Sequence, residues 1–127
     1  MSIKLRPVAK KMPHSEADEF QYALQVICKG ETDLEQLAEE ISQASSLTAA
    51  DCYGVLHSFV YHVGKALQRG DIVRLDPMGS FQIKIHGSAA NAPEALTPKN
   101  IKKANVAFRP GKKWKKMLSE LKWEMEK

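Results

Sequence analysis

Residues 104–116 read ANVAFRPGKKWKK, and the fold class follows from this stretch. Ala104, Val106 and Phe108 alternate with Asn105, Ala107 and Arg109, the period of two expected of a strand with one buried face. Pro110 and Gly111 stop the strand, because proline has no N–H for the ladder and glycine frees the next turn. Trp114, Met117, Leu118 and Leu121 then recur at helical spacing, predicting a final helix from about Lys112 to Met125. A basic strand thus turns into a lysine-rich helix start, where free N–H groups and the macrodipole favour an anion. Phosphate is the natural candidate.

Working back from that stretch, Phe81, Ile83 and Ile85 face one way and Gln82, Lys84 and His86 the other, predicting a strand over Ser80–Ile85. Ile72–Leu75 and a turn at Asp76–Gly79 precede it. The segment GSAANAPEALTPK, from Gly87 to Lys99, is small, polar and proline-bearing and reads as a loop or arm tip. Two helices come earlier. Thr32 with Glu35 has the form of a capping box, and Leu34, Leu37, Ala38 and Ile41 make one apolar stripe, so a helix runs to about Ala44. Thr48 with Asp51 repeats the pattern, and the second helix runs to about Arg69 with Gly70 as its stop.

That second helix makes broad demands. Cys52, Val55, Leu56, Phe59, Val60, Val63, Ala66 and Leu67 exceed a single stripe of about 100°. A second copy of the same helix would cover the excess, giving a homodimer through the helical region; the alternative is a monomer whose sheet covers the whole face. At the N-terminus, Ile3–Val8 reads as a short strand ended or pushed to an edge by Pro7. Lys10–Glu19 reads as an exposed loop, and Phe20–Cys28 as a second strand pairing with the first in a hairpin.

The 127 residues fit one modest core, with 43% hydrophobic content and a formal charge of +4, for a pI near 9.1. Charge is unevenly spread. No Lys or Arg occurs between Glu31 and Gly64, whereas Lys99, Lys102, Lys103, Arg109, Lys112, Lys113, Lys115 and Lys116 precede the next carboxylate. That asymmetry implies one anion-facing surface; a solvated lysine face is the plainer alternative. Cys28 and Cys52 lack metal or redox spacing and lie in apolar periodic segments, so both are expected as buried reduced thiols. No apolar run approaches the roughly 20 residues needed to span a bilayer, and no leader-type apolar region starts the chain, so an intracellular, cytoplasmic protein with no membrane partner is expected. His57 and His62 are five apart and do not share a helix face as a zinc pair would. His14 and His86 have no ligand-spaced partner. No nucleophile–base constellation or phosphate-binding glycine loop occurs, so neither enzyme activity, a metal nor a cofactor is expected.

In order and in residues, the parts resemble the HU/IHF family of bacterial histone-like DNA-binding proteins over about Thr32–Leu121. Gly79, Ser80 and Phe81 match the family's G-[ST]-F signature. Phe108, Arg109, Pro110, Gly111 and Lys112 match its F-[KR]-P-G-K helix entry. The added N-terminal residues look like the HU-related subgroup of Bacteroidetes-type bacteria. What the resemblance implies is an α+β fold: a helix pair, antiparallel strands forming a saddle and a C-terminal helix (31–127), with an added N-terminal strand pair (1–30). It further implies a nucleoid-associated homodimer binding double-stranded DNA with little regard to sequence. On this reading Arg74, Lys84, Lys99, Lys102, Lys103, Asn105, Arg109, Lys112, Lys113, Lys115 and Lys116 contact DNA. The departures are the N-terminal strands, the Asp76-Pro77-Met78 turn and the missing R-N-P arm tip. Pro93 and Pro98 occupy the arm region with different neighbours. They leave open a second function: a protein-interaction module on an HU-like scaffold with weak or lost DNA binding, its N-terminal strands pairing with a protein partner or with each other.

Overall fold

The computed structural model describes residues 1–11 and 20–127. In chain order the elements are β1 (Ile3–Lys11), β2 (Phe20–Val26), α1 (Leu34–Gln43), α2 (Ala49–Gln68), β3 (Val73–Leu75), β4 (Gly79–Gly87), β5 (Ile101–Pro110), α3 (Lys112–Ser119) and β6 (Trp123–Met125). They form two compact units, Asp33–Lys116 and Met1–Thr32 with Met117–Lys127. The expected loop over Lys10–Glu19 loses Lys10 and Lys11 to β1; the rest of it, with His14, lies outside the described residues.

In the larger unit, α1 and α2 pack as a pair, and β3, β4 and β5 form an antiparallel sheet in that order. The cap of α1 is Asp33, not Thr32: the Asp33 carboxylate accepts the Gln36 N–H at 2.9 Å. The extended backbone of Asp33, with ψ −177°, puts its carboxylate over the first turn, so the capping role falls one residue later than the S/T-x-x-E pattern places it. Thr48 caps α2 as expected, accepting the Asp51 N–H at 3.1 Å. Gly70 follows the C-cap with φ 87°, a left-handed conformation that glycine adopts without penalty. Between β3 and β4, the Met78 N–H closes the turn on the Leu75 carbonyl at 2.7 Å. Gly79 is required there: its φ is +150°, and a Cβ would collide with the Arg109 carbonyl and lie 2.9 Å from the Phe108 ring.

β4 and β5 are longer than the alternation alone indicates. Ladder pairs run from Gly79↔Pro110 to Gly87↔Ile101, because pairing continues wherever two backbones remain in register, whatever the side chains. Two 3-10 turns, Pro93–Ala95 and Pro98–Asn100, occupy the expected arm loop. The Thr97 N–H donates to the Asn100 carboxamide oxygen at 2.8 Å, and the Asn100 amide donates to the Ser88 hydroxyl at 3.0 Å. The arm end is therefore internally hydrogen-bonded.

The smaller unit is a three-stranded sheet in the order β2-β1-β6. The expected hairpin is present, with β1 antiparallel to β2 from Leu5↔Val26 to Lys11↔Phe20. Two expectations are corrected here. The last helix ends at Ser119, and Trp123–Met125 form a strand parallel to β1. The Ile3 N–H reaches the Lys122 carbonyl and the Glu126 N–H the Leu5 carbonyl, each at 2.8 Å; Lys4 Nζ adds an ion pair to Glu124 at 2.7 Å. Pro7 neither ends β1 nor confines it to an edge. Ile3 and Leu5 direct their backbone groups to β6, while the Lys4 carbonyl accepts from Ile27 beside β2. Pro7 therefore faces the β6 side, where pairing has already stopped at Leu5, and its missing N–H leaves no gap in a ladder. Cys28 is exposed, against expectation, since it lies beyond the last residue of β2; Cys52 is buried as expected.

Candidate nucleic-acid interface

The β3–β4–β5 sheet separates its two faces by strict alternation. Val73, Phe81 and Phe108 lie opposite one another across the strands, as do Ile83 with Val106 and Ile85 with Ala104. The Phe81 and Phe108 rings sit 4.9 Å apart, and Trp114 of α3 meets Phe108 edge-on at 5.7 Å. Trp114 thus belongs to the apolar side, where the helical stripe had placed it.

The opposite face is polar and basic. Arg74, Ser80 and Arg109 form one row across the three strands. Gln82 with Ala107, Lys84 with Asn105, and His86 with Lys103 form the rows beyond it. A shallow concavity of about 290 Å³ opens among Arg74, Ser80, Gln82, Lys84 and Arg109, and no carboxylate lines it. Ion pairs join Lys4 to Glu124 and Arg69 to Asp71. None of the cations in these rows takes part in either.

Five of the sequence-selected residues are thereby brought onto one face: Arg74, Lys84, Lys103, Asn105 and Arg109. Lys102 is not in a row. The register steps from His86↔Lys103 to Gly87↔Ile101, so Lys102 is the extra residue of a bulge. Lys99 sits in the second 3-10 turn of the arm, its N–H held by the Thr97 hydroxyl at 3.3 Å. Ser80, Gln82 and His86 share the basic face without having been selected. None of them is a lysine or arginine, so the basic run did not mark them; the continued alternation from Ser80 to His86 was the cue that could have found them.

The remaining four, Lys112, Lys113, Lys115 and Lys116, are on α3. The helix opens when the Lys115 N–H binds the Gly111 carbonyl at 2.9 Å, so the N–H groups of Lys112, Lys113 and Trp114 precede its first i→i−4 bond. No acidic residue occupies the first turn. Two lysines at the positive end of the dipole, and a like-charged i, i+4 pair in Lys112 and Lys116, each disfavour the helix by a few tenths of a kcal/mol. An anion at this end would offset both effects.

Two of the solved structures that share the fold illustrate the likeness. A Bacteroides vulgatus protein, provisionally assigned as a bacterial DNA binding protein, superposes over 98% of this chain with TM-score 0.69 and 13% identity. The chain spans about half that protein, 48% of its length. HU of Anabaena, solved in a cocrystal with DNA, matches 70% of this chain and 99% of its own at TM-score 0.55 and 21% identity. No curated protein matches the chain. The family model described as an HU domain fused to wHTH, Ig, or Glycine-rich motif matches residues 1–127, and the chain belongs to this HU-HIG family.

Proposed function

We propose that this protein binds double-stranded DNA as a homodimer, largely without regard to sequence, and acts as an architectural component of the nucleoid in the cytoplasm. The observation that carries the reading is the basic face: Arg74, Lys84, Lys103 and Arg109 on one side of one sheet, without carboxylate partners among the described residues. Side chains on a sheet surface spaced in rows suit a phosphate backbone better than base edges. The α3 lysines add a second set of phosphate contacts.

Burial supports the dimer. Among the described residues the buried hydrophobic ones are Ala38 and Cys52, while Val55, Phe59, Val60 and Tyr61 on α2 and Ile83, Ile85, Val106 and Phe108 on the sheet are exposed. A single chain with so little core would not offset its conformational entropy. A second copy laid against these surfaces supplies the missing core. This is a binding protein rather than an enzyme, and no helix among the described residues is long and apolar enough to cross a membrane.

Mobility-shift titration against two unrelated duplexes at low salt tests the reading. Similar affinity for both, falling steeply with salt, is expected; no binding at low salt would refute it. One observation favours a second function, protein interaction with weakened DNA binding: between Ser88 and Pro98 the arm carries Glu94 and no Lys or Arg. An arm of that composition gains little from phosphates, so on this second reading low-salt affinity is weak and the N-terminal strands pair with a protein partner.

A further inference from the structure

The outer edge of β2 reads FQYALQV from Phe20 to Val26, seven residues without a charge or a proline. Natural edge strands usually carry such residues to block pairing with another chain. Its side chains are also palindromic in polarity about Ala23. Phe20 mirrors Val26, Gln21 mirrors Gln25, and Tyr22 mirrors Leu24. Ile27 donates its N–H inward to Lys4, so by alternation Gln25, Ala23 and Gln21 also face β1 with their backbone groups. Phe20, Tyr22, Leu24 and Val26 direct theirs outward. Their side chains are 54%, 74%, 63% and 46% exposed.

We propose that this edge pairs antiparallel with the same edge of a second copy, about a two-fold axis through Ala23. In that register Tyr22 stands opposite the other copy's Leu24, and Phe20 opposite its Val26. Each such pair exchanges two backbone bonds, so the four outward residues of each strand are all satisfied, by about eight bonds in total. Apolar side chains meet apolar ones on one face and glutamines meet glutamines on the other, with no like charges opposed. Shifting the register by one residue sets the apolar face against the polar one. Shifting the axis to Tyr22 or Leu24 pushes one end of β2 beyond its partner. The axis through Ala23 is the one that pairs all seven residues. The result is a continuous sheet in the order β6-β1-β2-β2-β1-β6. The surface lies in the smaller unit, so it stands whether or not the basic sheet binds DNA.

Single cysteines placed in the full chain on a Cys28→Ser background test the register. Opposed residues at a non-hydrogen-bonded site are about 4.5 Å apart between Cα atoms, within disulfide reach, so Ala23→Cys should link to itself under mild oxidation. Gln21→Cys and Gln25→Cys should not link alone, but a mixture of the two should link at least about tenfold faster than either, as held neighbours do over free ones. Should Ala23→Cys disturb the sheet, linking in the mixture alone supports the proposal. Failure of the mixture to link, or equally ready linking by Gln21→Cys and Gln25→Cys alone, overturns it.

Discussion

Neutralising Arg74, Lys84 and Arg109 together, each to Gln, tests the basic face most directly. The three side chains surround one concavity and share one face of the sheet, and none takes part in the ion pairs of the described residues. In a dimer the triple substitution removes six charges. If each neutralises one phosphate, the slope of log K against log salt flattens by about 5, at roughly 0.9 per phosphate. Over the range from about 50 to 200 mM salt, that is the difference between losing and keeping on the order of 10³ in affinity. The fold should tolerate the change: Arg74, Lys84 and Arg109 are exposed, and surface substitutions of this kind shift stability by about 0.5 kcal/mol or less. The assay is fluorescence anisotropy with one duplex at a series of salt concentrations, with a thermal melt of each variant. The control carries the same charge change elsewhere, at Lys11, Lys29 and Lys65. If the control flattens the slope as much as the triple variant, the face is not the site and only net charge matters. An unchanged slope in the triple variant refutes the assignment outright.

Three further outcomes are expected. Phe108→Ala removes the ring between Phe81 and Trp114; if a second copy covers that face, urea unfolding should show a loss of about 3–5 kcal/mol, whereas a loss near 1 kcal/mol would mean that the face stays open in solution. Gly79→Ala places a Cβ against the Arg109 carbonyl at a backbone angle that side chains rarely adopt, so it should destabilise by more than about 1 kcal/mol, read by thermal melting; an unchanged melting temperature would sink that reading of the turn. The hydrogen bond from Lys4, then that from Ser2, holds the Glu124 carboxyl below its ordinary value. A depressed carboxylate stabilises the fold above its unfolded pKa and loses that contribution as pH falls through the folded one. Protection of the Glu126 amide, which binds Leu5, should therefore fall in the wild type as the pH drops through and below the ordinary carboxylate range and lose that pH dependence in Glu124→Gln; the same acid response in both would refute it.

Much of this molecule is local in origin and was legible without a structure. The alternation in residues 80–86 and 104–109 assigns each side chain to a face, because a strand has a period of two whatever it pairs with. The same alternation put Lys84, Asn105 and Arg109, with Lys103 continuing it, on one polar face, whereas Arg74 joins that face only through the pairing of β3 with β4. Thr48 and Gly70 bound α2 through contacts that reach no more than four residues along the chain. Tertiary structure decided what depends on distant partners. The segment Trp123–Met125 continues a helical stripe when read alone, but becomes a strand because Ile3–Leu5 offers backbone groups for it to bind. Pro7 reads as a strand breaker, yet lies within β1 because the one N–H it lacks would face a side already without a neighbour. Lys102 leaves the rows because a bulge, set by the closing of the arm, takes it out of register. Side-chain periodicity is a property of one segment; which segments meet, and where pairing starts and stops, depends on backbone groups that are chemically alike in every residue except proline.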